Sequence, residues 1–294
     1  MAALREAEGD AGLDLGDVLG PSSDIATRRR LSGWRRVVVG LAFPALLLAV
    51  WAALSATGAL SERLLPAPAD VAKSGRDFVF ASKRSAVPGV VPFRGAAAEH
   101  IQASVGRWAI GYAIALGVGL PLGLALGLSR WTSAAIDPLF QALRSVPITA
   151  WLPISLVWFG LGNGAARFLI FVGAVSPIVV ATADSTARVP RQLVDTARML
   201  GTRQRDLARR VYVPAALPGI VTGLRLGLTL GWTTVIVAEL TGSSRGLGAM
   251  MFSAREVSRL DQIIVGMVAF AVIGLTGDLL LRAVTRRFTR WADA

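Results

Sequence analysis

Six stretches of this chain run for about the length of a membrane crossing with one charge or none. Val37–Ser61, Trp108–Ser129 and Ser145–Ala166 contain no Asp, Glu, Lys or Arg. Phe168–Ala187 carries only Asp184, Leu226–Ser244 only Glu239, and Gln262–Leu281 only Asp278. A helix needs about 20 consecutive apolar residues to cross a bilayer core, whereas an apolar run of about 10–14 is typical of a buried core helix. A large soluble helical core is the competing explanation, and the length of the windows argues against it. So does a composition of 53% hydrophobic and 17% charged residues, which leaves too little polar surface for one soluble domain. The expectation is an all-α polytopic membrane protein with six transmembrane helices embedded in a lipid bilayer.

Composition also closes off chemistry. With no cysteine there is no disulfide framework, zinc site or thiol nucleophile. His100 is the only histidine, so neither a histidine metal cluster nor a Ser-His-Asp triad exists; we assign no catalytic residue and no metal site. A phosphate-binding loop needs Gly-Lys-Ser/Thr. The only lysines, Lys73 and Lys83, do not follow a glycine, so the chain holds no cofactor or ATP site of its own. The net charge of +12 raises the question of nucleic acid. Its arginines mostly flank the apolar windows, and membrane topology accounts for them better.

Residues 1–36 hold six Arg and six Asp/Glu without an apolar period, which predicts a disordered tail. Arg28–Arg30 ahead of Val37–Ser61 imitate a twin-arginine signal, but that apolar stretch exceeds the usual 7–15-residue signal core. It reads as a retained first helix, so 37–294 forms one transmembrane domain. Residues 62–107 make a long polar connection, Leu161–Arg167 a Gly-Asn-Gly turn, and 188–217 a loop with seven Arg against two Asp. Six spans put the N-terminal tail, the loop around Arg130, the 188–217 loop and the C-terminus on one side. The arginine bias makes that side cytoplasmic, although 62–107 carries seven Lys/Arg on the other side, with four acids. No internal repeat is visible, so the inverted-repeat signature of many secondary carriers finds no support.

One loop is more than a connection. In 191–214, Leu193, Ala197 and Leu200 fall at helical spacing, Gly201 breaks that helix, and Asp206–Arg210 begin a second basic turn ending before Pro214. Such an element could lie on lipid or dock in a groove of a soluble partner. The spacing Asp195-Thr196-Ala197, three residues, Gly201, nine residues, Val211-x-Val213-Pro214 resembles the EAA motif of ABC importer permeases, Glu-Ala-Ala-x3-Gly-x9-Ile-x-Leu-Pro. It departs at Asp195 for Glu and Thr196 for Ala. Leu143–Pro153, Leu156–Gly160, Pro214–Gly219 and Val237–Leu240 are similar to the nitrate/sulfonate/taurine/bicarbonate branch, and the resemblance covers roughly residues 40–292.

That resemblance implies a type I importer permease fold in a bacterial inner membrane. It also implies a permease dimer, expected here as a homodimer. Two cytoplasmic subunits would bind the ATP and magnesium, and an extracytoplasmic binding protein would deliver a small nutrient, most consistently an anion. Asp195, Thr196, Ala197, Gly201, Val211, Val213 and Pro214 become the ATPase-coupling residues. An autonomous channel or ion-gradient-driven carrier is the alternative, and an intramembrane enzyme lacks its catalytic groups.

Other polar residues are weighed singly. Gln141, Arg144, Thr149 and Glu239 are candidates for the translocation path. Arg144 also fits a snorkelling arginine, and Glu239 a helix-end carboxylate in water or a group with a structural or gating role on the pore side. Asp278 sits four residues before Arg282, the spacing of a helical ion pair. Pro147 and Pro153 predict a kink in the third span. Gly111, Gly117, Gly119, Gly123 and Gly127 predict close helix packing.

Overall fold

The computed structural model describes residues 33–57, 65–82, 91–240 and 242–289. Most of those residues are helical, with no strand among them. Of the tail expected over 1–36, residues 1–32 lie outside this range. Helix α1 (Gly33–Ala56) begins at Gly33 and belongs partly to a unit separate from the rest.

The main body contains α2 (Pro68–Phe80), α3 (Ala97–Leu128), α4 (Arg130–Arg144), α5 (Trp151–Phe159), α6 (Asn163–Ala187), α7 (Arg191–Met199), α8 (Gln204–Leu207), α9 (Val213–Glu239), α10 (Leu247–Glu256) and α11 (Leu260–Thr289). Four helical stretches are long and apolar enough to cross a membrane: α3, α6, α9 with the turns before it, and α11. The pair α4–α5 makes a fifth if counted as one broken span, and Gly40–Ala56 within α1 is a shorter apolar helix. This inventory is compatible with six spans.

The third expected span is the one the structure reshapes. The chain turns by 84° between Arg130–Arg144 and Ile148–Phe159. Pro147 has no N–H to continue the ladder and disfavours helix at the residue before it, so φ −56° and ψ 140° at Pro147 close the turn ahead of a 3-10 turn, Ile148–Ala150. The kink therefore falls at Pro147, while Pro153 sits inside α5. The Gly-Asn-Gly reading of Leu161–Arg167 is corrected as well: the turn is Gly160–Gly162, and Asn163 opens α6.

Helix α6 is the centre of the body, with α3 against one side and α9 against another. Both seams are made of glycine. A Cβ at Gly111, Gly119, Gly123 or Gly127 would fall within 3.0 Å of α6 atoms such as Thr182 Cβ and Thr186 Cβ. On the other side Gly223 and Gly227 back onto Ala181 and Ile178 equally closely, with Gly231 against Ala174. Gly117 has open space and takes no part in the seam, a correction to the expected set. The two seams share a nine-residue spelling, Gly-Leu-x-Leu-Gly-Leu-x-Leu-Gly, at 119–127 and 223–231. Without a hydrophobic drive between helices in lipid, small residues let backbones approach and supply the contact.

Helix α9 is clipped to α11 by Arg225, whose Nε donates to Asp278 Oδ1 at 3.1 Å. Arg282 Nε donates to Asp278 Oδ2 at 2.7 Å, giving the i,i+4 pair its spacing implies. Outward, α11 exposes Met267, Val268, Val272, Leu275, Leu279 and Leu280. In water such a face is a liability; for a membrane helix it is the face that meets lipid or a neighbouring subunit.

Candidate functional site

The segment expected to couple, 191–214, is built on a closed helix end. Pro190, at φ −59° and ψ 129°, starts α7, whose single buried side chain is Val194. Val194 packs with Val189, Leu207, Ala216 and Ile220, so α7 is anchored on α8 and the start of α9. At its C-terminus Thr202 N–H donates to Ala197 C=O at 3.0 Å and Gly201 N–H to Arg198 C=O at 2.9 Å. That pair of bonds is the Schellman arrangement. It requires a left-handed residue at Gly201, where φ is +82°. Ala197 and Gly201, two positions of the motif, are thus the two ends of one turn.

Beyond Gly201 the expected second turn does not stop before Pro214. Gln204–Leu207 runs through a π-helical turn, Ala208–Tyr212, directly into α9. Pro214 and Pro218 each leave a carbonyl one turn earlier without its usual N–H donor, which fits a local i→i+5 pattern at the entry to the helix. Val211 and Tyr212 pack beside the Val194 cluster, Val213 is half-buried and Pro214 is exposed. What the element shows to its surroundings is mixed. Leu193, Met199 and Leu200 are exposed apolar side chains, set among Arg191, Asp195, Thr196 and Arg198. Asp195 and Arg198 pair at 3.4 Å in the open.

The proline bend creates a groove. Its walls are Leu143–Ile148 on one side and Val172, Gly173, Ser176, Pro177, Val180, Ala181 and Asp184 of α6 on the other, with Leu226 and Leu230 of α9, enclosing about 620 Å³. Arg144 lies in that wall. Gln141 does not; its Nε2 donates to Asp137 Oδ1 one turn back at 3.3 Å. Thr149 is exposed just past the bend and outside the groove.

Glu239 is elsewhere, and the solvated helix-end reading does not hold. It is 1% exposed. Arg107 Nη1 and Ser104 Oγ, both on α3, donate to its Oε1 at 2.7 Å, and Gly248 N–H donates to Oε2 at 2.7 Å. Each nitrogen of Arg107 has a partner: besides Nη1, Nε donates to Asn163 Oδ1 and Nη2 to the Arg245 carbonyl, each at 2.6 Å. Leu247 N–H donates to Ser104 Oγ at 2.9 Å and Gly246 N–H to His100 Nδ1 at 3.0 Å. The acceptor role of Nδ1 places the ring hydrogen on Nε2, which donates to the Pro92 carbonyl at 2.6 Å. Four residues absent from the expected site, His100, Ser104, Arg107 and Asn163, therefore hold the α9–α10 connection onto α3 and α6. The available signal was an arginine at the edge of one apolar window and a glutamate inside another.

The family model for binding-protein-dependent transport system inner membrane components matches residues 117–292. The chain is 33% identical to the taurine transport system permease protein of Escherichia coli, over 87% of this chain and 90% of that protein. It is also 33% identical to the bicarbonate transport system permease protein of Synechococcus elongatus, over 89% and 91%. Among solved structures, an inward-facing methionine ABC transporter, MetNI, aligns with a TM-score of 0.52 at 22% identity, covering 64% of this chain and 95% of that one, a likeness of fold. With the family model spanning more than half the chain and relatives aligned nearly end to end, this chain belongs to the binding-protein-dependent transport system inner membrane components, the permease subunits of ABC importers.

Proposed function

We propose that the chain forms half of a homodimeric path for a small anion of the sulfonate or bicarbonate class. Cytoplasmic ATPase subunits docked on 191–214 drive it, and an extracytoplasmic binding protein feeds it. The observation that carries this reading is the rigid α7–Gly201–α8 element with Leu193, Met199 and Leu200 uncovered. A short helix with an apolar face and basic flanks suits a groove on a soluble partner. Asp195 and Thr196 on its outer face supply polar contacts. Ala197 and Gly201 set the turn, and Val211, Val213 and Pro214 join it to α9. This side faces the cytoplasm with both termini, as the arginine bias indicates.

The substrate class rests on the names of the relatives and on Arg144, the one cation in the groove at the bend. Gln141 and Thr149 flank that groove, and Glu239 acts on the path only by fixing the helices around it. A proton-driven carrier would pass its proton through a carboxyl within the spans, such as Glu239 or Asp278. Glu239 and Asp278 are both held in ion pairs.

The test is recovery of the ATPase subunit with tagged permease. Gly201→Trp and deletion of 195–201 should abolish co-purification while membrane insertion persists. Full recovery of the ATPase with the deletion variant overturns the docking assignment. Uphill uptake by the permease alone in proteoliposomes, lost on adding an ionophore, would overturn the ATP-driven reading in favour of a carrier.

A further inference from the structure

At the end of the bundle away from α7, a polar cavity of about 660 Å³ opens between α3, the α5–α6 turn and residues 242–245. Arg107, Arg167 and Arg245 line it and no acid does. Arg107 is neutralised by Glu239. Among the described residues, no ion pair engages Arg167 or Arg245. Two polar atoms of lining residues, Arg167 Nε and Ser243 Oγ, are buried without a hydrogen-bond partner, and Ser243 is 8% exposed. A buried polar group left unpaired is costly and calls for an explanation.

The neighbouring cavity between α2 and the α10–α11 turn is the instructive contrast. It mixes Asp70, Asp77 and Asp261 with Lys73, Arg94 and Arg259. Four of its six charged groups pair: Arg94 with Asp77, and Arg259 with Asp261, to which Ser74 also donates. That cavity is charge-balanced. The one beside Arg107 has donors on separate elements, α6 and the 242–245 segment, and an uncompensated positive charge.

We propose that the cavity lined by Arg107, Arg167, Ser243 and Arg245 binds a tetrahedral oxyanion, a sulfonate or phosphate group. Arg167 and Ser243 are its ligands, and Arg107, held in its pair with Glu239, forms part of the wall. A tetrahedral group presents acceptor oxygens in three directions, matching donors that come from different elements, and charge-assisted bonds to guanidinium are the strong ones. The site lies outside the groove at the proline bend, so it is a second anion position on the chain, separate from the proposed path. Two sources offer this chemistry: the phosphate of an anionic phospholipid and a soluble oxyanion.

The experiment uses the full chain in phosphatidylcholine nanodiscs, titrated by calorimetry with sulfate and with methanesulfonate. A parallel set contains phosphatidylglycerol, with retained lipid read by native mass spectrometry. Saturable binding in the first arm identifies a soluble oxyanion, retention of phosphatidylglycerol in the second a lipid headgroup, and either supports the site. Loss of a charge-assisted bond predicts about tenfold weaker binding for Arg167→Gln, and loss of a hydroxyl contact about threefold to tenfold for Ser243→Ala. Ser243→Ala removes a single oxygen and keeps the test valid if Arg167→Gln fails to fold. Absence of saturable binding for all three probes overturns the proposal. So does binding that the folded variants keep unchanged, or that falls equally on Arg255→Gln, an exposed arginine on α10. None of these variants touches the ATPase-docking element, so failure here leaves co-purification of the ATPase subunit unaffected.

Discussion

The two ends of the helical body use the same residue types in opposite ways. Around Arg107 and Glu239, charges and hydroxyls from α3, α6, α9 and the start of α10 turn inward, lose water and satisfy one another. Around α7 they turn outward: Asp195 and Arg198 meet in solvent, apolar side chains stand uncovered, and the chain is shaped by backbone bonds and the packing of Val194. A buried ion pair is weak evidence for stability, yet removing one partner is severe because the other charge stays behind. An exposed pair contributes little either way. Polarity thus fixes the helix connections at one end, while at the other it is displayed on the outer face of a short helix.

The sharpest break of that comparison is Glu239→Ala. It strands Arg107 in a buried site, and we expect a loss of about 3–5 kcal/mol, read as thermal unfolding of the detergent-solubilised permease. Arg198→Ala should cost below about 1 kcal/mol by the same assay. Equal losses would erase the distinction between the ends. Replacing Arg107 and Glu239 together by Met should recover most of the deficit, since well-packed apolar residues often replace a buried pair without penalty.

Next come the two glycines that close the respective turns. At Gly246 φ is 143°, and an added Cβ would lie within 2.3–2.5 Å of the Glu239 carboxylate; strain and overpacking together predict roughly 2–4 kcal/mol for Gly246→Ala. At Gly201 the space is open, and only the left-handed backbone resists, at about 1–2 kcal/mol. The seams between the ends should grade more finely. Gly123→Ala meets Thr182 and should lose about 1–3 kcal/mol, whereas Gly117→Ala, with nothing nearby, should gain up to about 1 kcal/mol. The smallest stability effect belongs to Leu200→Ser, within about ±0.5 kcal/mol. Its effect should appear instead as reduced recovery of the ATPase subunit.

What could be read from residue order follows from how local each feature is. Apolar windows announce helices because span length and charge exclusion are properties of one segment. The α7 turn was legible for the same reason: Ala197, Gly201 and Pro214 sit close along the chain. The Asp278–Arg282 pair is a fixed helical interval, but Arg225, its second partner, comes from another helix and went unread. The Arg107–Glu239 network joins residues 132 apart in sequence, and no spacing rule reaches that far. The glycine seam of α9 was within reach, because its spelling matches that of α3. The α4–α5 bend was half-legible: Pro147 signalled a kink, but an 84° turn also reflects packing against α6.

Return, finally, to the way Gly201 ends α7. The two bonds that close the turn use carbonyls and amides, so its outline is indifferent to the side chains at 195 and 196. A lineage can exchange Glu-Ala for Asp-Thr there without altering the silhouette a partner meets. What such an exchange alters is only the handshake on that silhouette: a shorter acid, an added hydroxyl. For the docking we propose, the backbone turn sets the common socket, and residues 195 and 196 set how closely a given ATPase fits it.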